Sequence, residues 1–263
     1  MKVEKLKKSE LDAYCKGLGV YIKGATRADH IAAIYQSRRT EIDKAIESGN
    51  GLKLLEYKVN ELADEYAYNL KDKIINRRED MQEDNNSHHL IYNVLGISNN
   101  EGFLIDEYQN TGRFLYKYAG SFVEEAASLC LLFANPNGEK VTVENTQGQK
   151  PRTFEIDFLN GRDAIELKWR DATTDGDHIT KEHTRVQVIR KHGYRPIRVM
   201  FYYPQRKQAI KVQECLETLY HGIGGKYYAG DQAWEYLYRV SGYDLKSILI
   251  HIVQSRNDES TND

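Results

Sequence analysis

The chain has 263 residues, 40% of them hydrophobic and 29% charged, enough for one large domain or a catalytic core with a helical extension. Its longest apolar runs, such as residues 129–134, are far too short to span a bilayer. The opening Met1-Lys-Val-Glu-Lys-Leu-Lys-Lys-Ser9 puts charges where a signal peptide needs an apolar segment, so a cytoplasmic protein with no membrane partner is expected.

The first hundred residues have helical periodicity. Ile31, Ile34, Tyr35, Ile42, Ala45 and Ile46 recur at helical spacing before the stop at Gly49-Asn50-Gly51. Leu55, Val59, Leu62, Tyr66, Leu70 and Ile74 mark a second, longer helix, ended by a polar stretch at residues 79–87. A third helix is expected over 115–133, stopped by Asn135-Pro-Asn-Gly138. The pattern then turns to strands at 140–144, 154–158 and 164–170, with a hairpin turn around 159–163. In the second strand apolar residues occupy even positions and acids odd ones. In the third, Ile165, Leu167 and Trp169 face one way while Glu166, Lys168 and Arg170 face the other.

After a polar loop comes a helix over 178–192, closed by Gly193. Residues 197–203, IRVMFYY, form a near-continuous apolar strand of the kind buried on both faces. A helix over 206–220 follows, then the glycine-rich stretch 222–230, read as a flexible turn. Asp231 and Asp244 are the expected N-caps of two short helices. The class is therefore α/β: an αβββαβ core, its mixed sheet flanked by helices, with an N-terminal helical region and C-terminal helices. The expected divisions are residues 1–112 for the helical region, 113–255 for the core and C-terminal helices, and 256–263 for a disordered tail.

Cys15, Cys130 and Cys215 are odd in number and widely spaced, which argues against disulfides and zinc knuckles, so all three are expected reduced and structural. His88-His89 are adjacent and His178 and His183 are five apart, so neither pair shares the helix face that zinc needs. No histidine metal site is expected. Gly225-Lys226 is followed by Tyr227 and lacks a leading strand, so a P-loop and a nucleotide cofactor are not expected.

The chemistry-bearing pattern is an acid on one strand and Glu-x-Lys on the next. Glu166 and Lys168 emerge from one face, about 7 Å apart along the strand, and the hairpin returns Asp157 beside Glu166. Two convergent carboxylates are hard oxygen ligands suited to Mg²⁺, with the Leu167 carbonyl placed as a third. A metal so held would polarise a phosphate and acidify a bound water. Lys168 would position or deprotonate that water, or stabilise the charge of the transition state.

The net charge of −2 does not advertise a nucleic-acid binder. Between Glu139 and Lys211, however, fifteen Lys and Arg stand against ten Asp and Glu, a local excess of five positive charges. The helix after Glu-x-Lys puts Lys181, Arg185 and His192 on one side, opposite Ile179, Val186 and Ile189. That basic stripe suits phosphate or base-edge contacts, with a solvated surface as the alternative, and Arg170, His178, Lys181 and Arg185 are the candidate contacts to double-stranded DNA.

At Ile156-Asp157 and Glu166-Leu167-Lys168 the chain resembles the PD-(D/E)XK nuclease superfamily over residues 113–203, with Ile where the motif has Pro. The resemblance implies Glu124, four residues after Gly120, as an auxiliary metal-site acid. Glu125 competes with Glu124, and Glu155 with Asp157. A weaker similarity, Gly230-Asp-Gln-Ala-Trp234-Glu-Tyr-Leu237 then Gly242-Tyr-Asp244, looks like a C-terminal segment of some type II restriction endonucleases. This implies a Mg²⁺-dependent homodimer cutting both strands of a short symmetric DNA site. A repair or structure-specific nuclease of the same superfamily and a non-catalytic DNA-binding module are the alternatives.

Overall fold

The computed structural model describes residue 3 and residues 6–148, 150–170 and 176–260, the side chains of 176–178 and 259–260 excepted. Five helices come first: α1 (Lys8–Gly17), α2 (Arg27–Glu47), α3 (Gly51–Glu83), α4 (His89–Val94) and α5 (Asn99–Ala134). Thr26 and Ser98 start α2 and α5 in the same way. Each side-chain oxygen accepts the amide of an acid three residues on, and that acid reaches back to the cap. The third helix thus begins at Asn99 rather than 115 and runs unbroken past residue 112, because the Ser98 cap outweighs the polar residues of its first turns.

The rest is β1 (Glu139–Glu144), β2 (Thr153–Asn160), β3 (Asp163–Arg170), α6 (Gly176–Lys191), β4 (Arg195–Tyr202), α7 (Lys207–Gly222), β5 (Lys226–Ala229), α8 (Asp231–Ser241) and α9 (Leu245–Ser260). The five strands form one mixed sheet in sequential order, antiparallel from β1 to β3 and parallel from β3 to β5. The expected order of helix, three strands, helix, strand is present.

Helices cover both faces. On one, Leu131 and Phe133 of α5 and Leu237 of α8 join Ile165, Leu167, Val199 and Phe201 of β3 and β4, backed by α3 and α9. On the other, α6 packs Val188 on Ile156 and Ala164, and α6 and α7 together pack Val186 and Leu216 on Met200. At about 25 cal/mol per Å² of apolar surface removed from water, these contacts are the main stabilising term. Leu11, Cys15 and Ile34 make a separate small cluster between α1 and α2. No described helix is long and apolar enough to cross a membrane. The cysteines are free among the described residues; Cys15 and Cys130 are buried, but Cys215 is exposed and so is not a core residue.

Three expectations are corrected. Residues 256–260, expected in a disordered tail, continue α9, where Arg256 pairs with Asp64 of α3 at 2.5 Å; residues 261–263 lie outside the described ones. Asp231 is the first helical residue of α8, and its cap is Gly230, whereas Asp244 does accept the Ser247 amide at the start of α9.

The glycine-rich stretch is the third: it contains the edge strand β5. Gly224 turns the chain at φ +74°, and Gly225 then lies so close to β4 that an added Cβ would stand 2.6 Å from the Pro196 carbonyl and 2.9 Å from that of Tyr220. Only glycine fits there, which a compositional reading takes for flexibility. Gly225→Ala should destabilise the fold by about 1–3 kcal/mol, lowering Tm by several degrees in a thermal melt. Gly222→Ala, with open space around its Cβ, should leave Tm unchanged or slightly raised.

Candidate functional site

The site begins where β2 and β3 separate. Their ladder pairs Asn160 with Asp163, Leu159 with Ala164 and Phe158 with Ile165, and goes no further. On its other edge β2 pairs Leu159 with Glu139 but Ile156 with Val141, so it carries one extra residue around Asp157. Such a bulge bends a strand and re-aims its side chains. Phe154 and Ile156 accordingly pack beneath α6, while Phe158 enters the α5 core. The regular alternation expected for this strand is therefore broken at Asp157. In the gap, the Asp157 carboxylate accepts the Leu167 amide at 2.9 Å, replacing a missing rung of the ladder.

Four elements bring charges to this fork. Glu166 of β3 is almost fully buried; Lys168 Nζ lies 2.7 Å from its Oε1, and the Arg185 guanidinium of α6 contacts its Oε2. Lys168 Nζ also lies 3.7 Å from Glu124 Oε1 on α5 and 4.0 Å from Asp157 Oδ2. The fork thus admits an acid from each of three elements around one ammonium. Behind them, Glu182 Oε2 accepts hydrogen bonds from Arg198 Nη1 and the Tyr220 hydroxyl, each at 3.1 Å, and its Oε1 lies 3.9 Å from Arg185. A continuous row of alternating charge runs from Glu124 to Arg198.

The row holds four carboxylates and three cations. Burial and the neighbouring Glu166 push the Asp157 carboxyl up to about 7. Burial pulls Glu166 upward as well, but Arg185 and Lys168 outweigh it and hold Glu166 below its ordinary value. Burial opposes the charge of Lys168, yet Glu166, Asp157 and Glu124 keep its pKa raised, so it is a firm cation. Of the two carboxyls, Asp157 therefore takes up a proton more readily than Glu166. A surplus of buried hard oxygen donors is the chemistry that suits Mg²⁺, and Asp157 and Glu166 fit it.

Asp157, Glu166, Lys168 and Glu124 are brought together here. Leu167 is buried and supplies its amide to Asp157. Glu155 is turned away, pairing with Lys140 of β1 at 2.5 Å, and Glu125 interacts with Tyr66 of α3. Arg170 is exposed over the rings of Tyr116 and Trp169, and Lys181 is exposed one turn before Arg185. The side chain of His178 lies outside the described residues. Arg185, expected on an exposed stripe, is instead inserted among the carboxylates, because Glu166 and Glu182 need a buried counter-charge. Glu182, Arg198 and Tyr220 were not anticipated. The available signal was Arg198, a lone cation within an apolar strand, which demands a buried anion.

A family model described as ApaLI-like restriction endonuclease matches residues 35–254, most of the chain and all of the charge row. No curated protein and no solved structure matches.

The raised pKa of Asp157 makes stability depend on pH. A carboxyl at about 7 in the fold and 3.8 when unfolded contributes fully below pH 3.8 and loses that contribution as pH rises through 7. In chelator, Asp157→Asn should therefore be more stable than the parent at pH 8, by about 1–4 kcal/mol. The difference should grow upward from about pH 4 and level off above about 7. Denaturant melts across that range check it; a difference independent of pH would contradict the assignment.

Proposed function

Because the chain belongs to the ApaLI-like restriction endonuclease family, we propose that it is a type II enzyme of the PD-(D/E)XK kind, hydrolysing duplex DNA at a short symmetric site with Mg²⁺. The observation that carries this reading is the ammonium of Lys168 held among Glu166, Glu124 and Asp157 at the forked strands. Asp157 and Glu166, with the Leu167 carbonyl and Glu124 beside them, would hold the metal. When bound, it supplies positive charge to the phosphate and acidifies water.

The chain's own residues do the rest. In hydrolysis a water oxygen bonds to phosphorus, one backbone P–O bond breaks, and the leaving oxygen takes a proton. Lys168, kept charged by three acids, suits orienting that water and neutralising the phosphoryl oxygens better than removing a proton. Arg185 fixes Glu166, and Glu182 with Arg198 fixes Arg185. Tyr220, its phenol kept protonated by burial and by Glu182, donates to Glu182. Arg170 and Lys181, exposed on either side, suit contacts to phosphates that set register without reading bases. His178 remains a candidate for the same role.

The test is cleavage of plasmid DNA. Mg²⁺ or Mn²⁺ should support cutting at fixed positions, chelator should abolish it, and Ca²⁺ should permit binding with little cutting. Lys168→Ala should lose at least about a hundredfold in single-turnover rate, about 2.7 kcal/mol at the transition state, while still binding DNA. Cutting at the parental rate by a folded Lys168→Ala chain would end the assignment.

Cutting both strands symmetrically calls for two copies. Leu90, Ile91, Val94 and Leu95 of the α4 turn are all more than half exposed, an apolar patch suited to a second copy of this chain. Sedimentation should give a dimer for the parent and a monomer for a Val94→Asp, Leu95→Asp double variant; a monomeric parent, free and on DNA, refutes the proposal.

A further inference from the structure

The turn joining α3 to α5 holds a second cluster of ligand-type side chains, distinct from the carboxylates at the fork. His88 is the N-cap of α4 and His89 its first residue. Neighbours inside a regular helix point about 100° apart, which is why adjacent histidines are a poor zinc signal. Here, however, both rings reach one partner. His88 Nε2 lies 2.9 Å and His89 Nε2 3.3 Å from Oδ2 of Asp106 on α5. The three ligand atoms all lie within 4.8 Å of one another.

These are hydrogen-bond distances that fall at, or a few tenths of an ångström below, the ligand spacing around a bound ion. Zinc binds imidazole nitrogen and carboxylate oxygen at about 2.0–2.2 Å in tetrahedral sites, so its ligands stand roughly 3.3–3.5 Å apart. The supporting contact is also present: the Tyr92 hydroxyl donates to the other carboxylate oxygen, Asp106 Oδ1, at 2.9 Å, and the Tyr92 ring packs against both imidazoles. Hydrogen bonding from His88 keeps the Asp106 carboxyl below its ordinary range, hence anionic. His89 is buried, whereas His88 is about half exposed, leaving one approach open to water.

We propose that His88, His89 and Asp106 bind one divalent transition-metal ion of the zinc class, with water as fourth ligand, and so clip α4 onto α5. Two imidazoles and one carboxylate select such an ion over Mg²⁺, which favours all-oxygen sites. A six-residue helix cannot hold itself, and α4 exposes Leu90, Ile91 and Val94 rather than burying them. Contacts of His88, His89 and Tyr92 with Asp106 tie it to α5. Ligation requires each Nε2 to present a lone pair, so the ring proton moves to Nδ1; no net charge leaves a neutral imidazole.

The test uses the full chain carrying Asp157→Asn, which removes a carboxylate of the fork as a competing ligand, stripped with chelator. Titrated Co²⁺ should bind at one equivalent with the visible bands of a four-coordinate ion. Zn²⁺ should displace it and excess Mg²⁺ should not. Ring ¹⁵N shifts of His88 and His89 should move to the Nδ1–H tautomer. His88→Ala, at an exposed cap, should retain helical circular dichroism but bind Co²⁺ more weakly by at least about 10–100-fold, the cost of losing even a supporting contact. Absence of one-equivalent uptake, unchanged uptake by His88→Ala, or unmoved ring shifts in the chain with both histidines would each overturn the proposal.

Discussion

A buried charge must have a partner, and that constraint organises the middle of this molecule. Glu166 is the residue that imposes it. Enclosed by the sheet and α6, its carboxylate is ionised only because Lys168 and Arg185 contact its two oxygens. Arg185 is in turn enclosed and leans on Glu182, and Glu182 on Arg198 and Tyr220. The partners lie on β3, α6, β4 and α7, so the row joins these four elements without a break. The apolar clusters on the two faces hold these layers together; the charges decide how the layers register against each other.

Energetics explain why such a row is kept for something other than stability. Withdrawing two ions from water costs several kcal/mol each, and their attraction returns that only with good geometry. Here the geometry is incomplete: Arg185 Nε and Arg198 Nε are buried with no hydrogen-bond partner, and burial beside Glu166 pushes the Asp157 carboxyl up to about 7. An apolar core of equal volume would serve folding as well or better. What the charges supply is preorganised polarity facing the fork, the condition under which fixed dipoles and ions stabilise a developing negative charge.

Much of this was legible in the sequence, and the rest was hidden for identifiable reasons. Period-two alternation placed β3 and the common face of Glu166 and Lys168, and the Asn-Pro-Asn-Gly turn marked the passage from helix to sheet. The bulge at Asp157 was invisible, because both Ile156 and Phe158 are apolar and satisfy either face. Arg185 was misplaced because helical spacing gives its side but not what that side meets; the acid that captures it is nineteen residues away in sequence. The glycine-rich stretch misled through composition, since glycine marks a close approach to backbone at Gly225 as readily as it marks mobility. The adjacency of His88 and His89 likewise does not reveal the turn that brings both rings to Asp106 of α5.

The long helix α5 carries both clusters, Asp106 near one end and Glu124 farther along, and their separation limits what each can do to the other. Eighteen residues of helix span about 27 Å at 1.5 Å per residue, well beyond the roughly 8 Å Debye length at physiological salt. Direct electrostatic influence of one on the other is therefore negligible. Mechanical coupling would need an element with two discrete arrangements that both sites bias. An unbroken helix packed on α3 along both halves, and on β3 along the second, shows no second arrangement. The physical consequence is a division of labour along a single rod. The half of α5 against the sheet places Glu124 at the fork, and the half against α4 places Asp106 beside the two histidines. A substitution at one end should leave the function of the other untouched, because the helix that joins them transmits position but not charge.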